Sequence, residues 1–207
     1  MIPVLICLFL IVIWIYYQRS KSDQAIKKES DAFWSREREA NLSRKKDLTS
    51  LDYITIPFEN LPFSENNSEE IKHVQNQLNK LKSQKIVNLT GLSNTDLKIT
   101  YGAANLTLLT TYDHNYTLLV RYLNQWGQLL LKCDKTHEAR TVLAYAISCG
   151  SDISQTYLSL AAIYLDSGDY EALFELQEKA HNLTSPLKES LIQKLDAICE
   201  KASRDQE

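Results

Sequence analysis

The sequence predicts an all-α chain, and three observations carry that expectation. From Ser22 to about Leu48 no Gly or Pro interrupts a run dominated by Lys, Glu, Arg and Ala, so helix propensity is high. Ile71, Val74, Leu78 and Leu81 form one apolar stripe at three- and four-residue steps, the period of an amphipathic helix. The C-terminal half then reads as helix after helix, with turn signals at Asp134, Cys149-Gly150-Ser151, Gly168-Asp169 and Ser185-Pro186.

Taken in order, the first element is the apolar run from Ile2 to Tyr17, sixteen residues without a charge, followed by Arg19 and Lys21. At ~1.5 Å per residue it reaches roughly 24 Å, close to the ~30 Å hydrocarbon core of a bilayer. Trp14, Tyr16 and Tyr17 lie at the end where headgroups would sit, and the bases beyond them can snorkel outward. No basic segment precedes the run, and Tyr-Tyr-Gln-Arg follows it in place of a small-residue cleavage site. Cys7 lacks the small residue before it that a lipid-modified cysteine needs. The expectation is a single N-terminal transmembrane helix over residues 1–18.

Residues 18–50 carry nine bases against six acids. Positive residues near a span stay in the cytoplasm, which predicts a single-pass membrane protein with its N-terminus outside and its C-terminal domain cytoplasmic. A basic stem beside anionic lipid fits that placement. The rest, residues 51–207, has fourteen bases and twenty acids. That balance, without a basic stripe interleaved with aromatics, predicts no nucleic-acid partner.

Residues 19–50 read as a polar juxtamembrane helix, rich in Lys, Glu, Arg and Ala and free of Gly and Pro. Ile26, Phe33 and Ala40 form a sparse seven-residue seam, and Phe33 and Trp34 are expected to dock on the body or on headgroups. Residues 51–66 change texture. Tyr53-Ile54-Thr55-Ile56 favours extended backbone, and Pro57 and Pro62 forbid a helix interior. This segment is expected to lie as an extended strap across a helical domain at 67–207. Asn67 with Glu70 three residues on is read as the start of the next helix. Two further helices are expected at Leu97–Thr111 and Tyr116–Lys132, separated at Asp113-His114-Asn115. Pro186 suits the first turn of a last helix carrying Leu187, Leu191, Leu195 and Ile198.

Gly127 and Ala161 stand 34 residues apart, as do Ala146 and Ala180. In one copy Trp126, Gly127, Leu130, Ala139, Leu143 and Ala146 alternate small and large positions. In the next, the aromatic, aliphatic and small residues Tyr157, Leu160, Ala161, Tyr164, Gly168-Asp169-Tyr170 and Ala180 take comparable places. Residues of about 120–184 resemble the tetratricopeptide (TPR) repeat, whose period is ~34 residues. The resemblance implies an antiparallel helical-hairpin array in which small residues let paired helices approach. Leu173 and Gln177 depart from it, standing where a small and an aromatic or large apolar residue are usual. Because about three stacked units are normally needed, the helices before and after are expected to cap the array.

If the repeat register holds, the first helix of each repeat lines a concave face. Arg121, Asn124, Gln128 and Lys132 form one stripe there, flanked by Gln155, Leu158, Ala162 and Leu165. Cations and amides beside apolar side chains suit an extended or helical peptide. Catalysis is not expected. His73, His114, His137 and His181 are scattered, the cysteines lack metal-ligand spacing, and no phosphate loop or nucleophile motif occurs. No cofactor or metal is expected either. N-x-S/T triplets occur at Asn41, Asn66, Asn88, Asn105, Asn115 and Asn182, and would matter only for a lumenal body. The reading is a membrane-anchored protein-protein interaction module, an adaptor or scaffold for an unknown protein partner. The alternative is a small structural subunit of a membrane complex, contacting partners through span and stem.

Overall fold

The computed structural model describes residues 2–185 and 187–205, with the side chains at 2–8, 12, 25, 204 and 205 left aside. Among the described residues the protein is all-α. Its helices are α1 (Ile2–Asn41), α2 (Glu69–Leu81), α3 (Asn94–Tyr101), α4 (Leu106–Lys132), α5 (Thr136–Ser148), α6 (Ser154–Ser167), α7 (Tyr170–His181) and α8 (Lys188–Asp205). One 3-10 turn, Ala103–Asn105, precedes α4, and one isolated antiparallel bridge joins Tyr53 to Val87. The chain forms two compact units: Met1–Leu48 with Leu92–Thr107, and Thr49–Gly91 with Leu108–Glu207.

The first unit joins the end of α1 to α3. Ala40 is fully buried and Leu97 nearly so. Ser93 and Asp96 make a reciprocal capping box that starts α3, satisfying two backbone donors at once. The hydrogen bond from the Ser93 hydroxyl is the main reason the Asp96 carboxyl lies below its usual range, and Arg36, 2.5 Å away, adds to it. Glu37 is likewise lowered, first by its short hydrogen bond from Lys98 and then by Thr95, which donates at 2.7 Å. Beyond α1 the Ser43 hydroxyl reaches the Lys98 carbonyl at 2.6 Å, and Asn105 donates to the carbonyls of Lys46 and Tyr101, both at 2.8 Å. Two bases of the predicted stem, Arg36 and Lys46, are therefore occupied within this unit, by Asp96 and by the Ile99 carbonyl. Phe33 and Trp34 are more than half exposed and pack edge to face on each other, 5.3 Å between ring centroids.

The expected transmembrane anchor is corrected here. Among the described residues no helix is long and apolar enough to cross a membrane. Anchor and stem are one continuous helix of 40 residues. Within that helix the apolar run passes into the charged stem at Arg19. The first half of the run, with Cys7, lies among side chains outside the description. The single-pass placement, with its outside and cytoplasmic ends, is therefore not supported, and the membrane as a partner is left without a spanning helix to support it.

The second unit has one core. Ile56 and Leu61 from the segment before α2 join Ile71, Val74 and Leu78 of α2, Leu119, Leu123 and Trp126 of α4, and apolar residues of α5 to α8. Residues 51–63 hold no helix, because the prolines exclude it; a turn at 58–60 bends the segment, and its groups are bound. Ile54 N–H donates to Ile86 O at 2.9 Å, and the Tyr145 hydroxyl donates to Thr55 O at 3.2 Å. Phe63 packs on Trp126 with ring centroids 4.7 Å apart. The helix start expected at Asn67 moves by one residue: Ser68 caps α2, while Asn67 is buried and accepts from Lys135 at 2.6 Å.

Successive helices α4 to α8 give a hairpin-rich architecture compatible with a helical repeat. Gly127, Ala139, Leu143, Ala146, Tyr157, Leu160, Ala161, Tyr164 and Ala180 are all buried. A Cβ on Gly127 would stand 2.3 Å from Leu143 Cδ2, so α4 and α5 close to a separation only glycine permits. Gly168 is left-handed at φ 70° and ends α6, and Asp169 then caps α7 while its other oxygen takes Arg140 at 2.6 Å. Gln177, off the repeat pattern, donates to Asp196 of α8 at 2.6 Å.

The break expected at Asp113–Asn115 is absent: α4 runs straight through it. These side chains turn outward to another segment instead of folding onto their own backbone. Asp113 accepts from Leu89 N–H at 3.3 Å, and Asn115 donates to Lys85 O at 2.9 Å. The real interruption is Gly102, at φ 92°, where a Cβ would stand 2.2 Å from the Arg44 carbonyl oxygen.

Candidate functional site

The predicted face divides into a cross-braced part and an open part. On α4, Asn124 accepts from the Thr156 hydroxyl of α6 at 3.0 Å, and Gln128 donates to the Ser159 hydroxyl at 2.9 Å. Gln155 donates to the same Ser159 oxygen at 3.0 Å and to Gln128 at 3.5 Å. Thr156 is fully buried and Ser159 nearly so. A buried hydroxyl without a partner costs about 1–3 kcal/mol, so Asn124 and Gln128 are held to α6 by need. Their polar atoms are spent on the α4–α6 seam.

Arg121, one turn earlier, remains exposed, and no acidic side chain pairs with it among the described residues. It lines a cavity of about 600 Å³ with Leu118, Tyr122, Asn124, Gln125 and Ile153. The α4 members recur at helical steps, and Ile153 joins them from the residue before α6. The sequence reading passed over Leu118, Tyr122, Gln125 and Ile153. The 118/122/125 spacing was visible, but Ile153 enters only through the α5–α6 turn. Lys132 is exposed and does not line this cavity; Leu158 and Leu165 are half-buried against the core, and Ala162 is exposed.

The four histidines are exposed, and no group of His, Cys, Asp or Glu among the described residues could hold a metal ion. Cys149 and Cys199 are buried, and that burial pushes both thiols up, away from the reactive thiolate. Cys133 is exposed.

Burial likewise raises the phenols of Tyr116, Tyr145 and Tyr157, the last to about 12. Tyr116 donates to Gly150 O at 2.7 Å, fixing the α5–α6 turn that positions Ile153. No protein-family model, curated protein or solved structure matches the chain, so the all-α, hairpin-rich fold stands on its own geometry.

Proposed function

We propose that this chain is a protein-interaction module, an adaptor or scaffold built on TPR-like helical hairpins, which binds a partner's segment beside Arg121. The observation that carries the reading is the unpaired, exposed guanidinium at the edge of a cavity of about 600 Å³ whose apolar side is Leu118, Tyr122 and Ile153. A planar cation beside an apolar floor suits a short acidic segment with one large apolar side chain, the carboxylate pairing bidentately with arginine. The buried small residues at the repeat spacing support the TPR-like register. The braced α4–α6 seam supports a preformed surface, which lowers the ordering cost of binding.

A displayed random-peptide library, selected on the immobilised full chain, tests this. Enrichment of acidic peptides with an aromatic or aliphatic residue is expected, with affinity falling about tenfold or more on Arg121→Glu. Peptides that bind Arg121→Glu as well as the parent, or no enrichment at all, would remove the reading.

A further inference from the structure

A second cavity, of about 320 Å³, opens in the same unit where the α5–α6 turn, the last turn of α7 and the segment around Asn88 meet. Its size is at the low end of small-molecule sites, which run from ~300 to ~1,000 Å³. Two opposite charges line it. Asp152 lies in the turn before α6 and Lys179 in the last turn of α7, and neither makes an ion pair with any described residue. Ile147 and Leu183 form an apolar wall. Tyr157 also lines the cavity. The residue is 2% exposed overall, and no described residue pairs with its hydroxyl.

The Tyr157 hydroxyl is available to donate to whatever occupies the space beside it. The same cavity leaves a carboxylate and an ammonium to be matched. A ligand with a single charge satisfies one of them, whereas a small zwitterion satisfies both, each through a charge-assisted hydrogen bond. We infer that this cavity is a binding site for a small zwitterion, a free α-amino acid with an apolar side chain. Asp152 takes its ammonium, Lys179 its carboxylate, the Ile147–Leu183 wall its side chain, and Tyr157 donates a further hydrogen bond.

The test is calorimetric titration of the full chain with L-leucine, N-acetyl-L-leucine (no ammonium) and L-leucinamide (no carboxylate). Leucine is expected to bind in the millimolar range or tighter, and each analogue about tenfold or more weaker. Asp152→Asn should weaken leucine to the level of N-acetyl-leucine while leaving N-acetyl-leucine binding unchanged. Lys179→Gln should do the same with respect to leucinamide. Lys179 is exposed and Asp152 half-buried, and circular dichroism checks that the variants stay folded. No heat from leucine at about 10 mM would overturn the assignment. So would equal binding of all three compounds, or leucine binding that ignores both substitutions.

Discussion

Gly127 is the residue on which the α4–α5 approach turns. Alanine is the better helix former by up to about 1 kcal/mol, so in an open helix Gly127→Ala would stabilise. Here the new methyl meets Leu143 Cδ2 at 2.3 Å and Cγ at 2.6 Å, and Leu143 is itself fully buried with nowhere to retreat. Overpacking of this kind costs about 1–3 kcal/mol. Gly127→Ala is therefore expected to lower the urea midpoint, and an unchanged or raised midpoint would mean the helices do not close as described. Small-residue spacing made this position legible in the sequence. The N-x-S/T triplets show the opposite case, because the motif carries no information on burial. Asn105 and Asn115 are buried and donate to backbone carbonyls, so their amides are structural in the folded chain.

At the scale of elements, α4 separates local preference from tertiary override. Asp-His-Asn in sequence favours a turn because Asp and Asn commonly bond their own backbone. In α4 those side chains instead satisfy groups between Lys85 and Leu89, so the helix continues and the neighbouring segment gains its anchor. Asn115→Ala leaves the Lys85 carbonyl without its donor, and should cost about 1–3 kcal/mol of stability while helical circular dichroism is unchanged. Lost helicity would argue that 113–115 is a turn after all. The starts and stops from α5 to α7 were legible because Gly150, Gly168 and Asp169 carry their turn chemistry locally. The α3–α4 break was not, since Gly102 is required by the Arg44 carbonyl, 58 positions away in sequence. The candidate face was half legible for the same reason. Helical spacing found Arg121 and Asn124, but only tertiary pairing reveals that Thr156 and Ser159 hold Asn124 and Gln128.

For the whole molecule, two consequences follow from where burial falls. The first concerns alkali. Tyr116, Tyr145 and Tyr157 have folded pKa values raised above that of an exposed phenol, so the folded state holds its protons longer. Their contribution is fully present below about pH 10 and is lost as pH rises beyond it, by about 1.4 kcal/mol per pH unit for each phenol. The urea midpoint should be level from about pH 7 to 8, begin to fall at about pH 8.5 as the raised thiols of Cys149 and Cys199 add their own loss, and fall steeply above about pH 10. A midpoint that stays level to about pH 11 would contradict the burial of these rings.

The second concerns the two units. Among the described residues, the apolar core that holds α2 and α4 to α8 is built from the second unit's own side chains. By contrast α3 takes Arg36, Glu37, Ser43 and Lys46 as partners from the α1 side of the chain. Deleting residues 1–48 therefore strips α3 of most of its hydrogen bonds while leaving that core whole. An eight-residue helix is too short to persist in water unaided. Amide hydrogen exchange should then show protection lost between Asn94 and Asn105 and kept across Val142–Leu176, the pattern of locally separable cooperative units. Loss of protection in both regions would mean that the deleted segment contributes to the larger core as well. Retention in both would mean that α3 draws its stability from elsewhere.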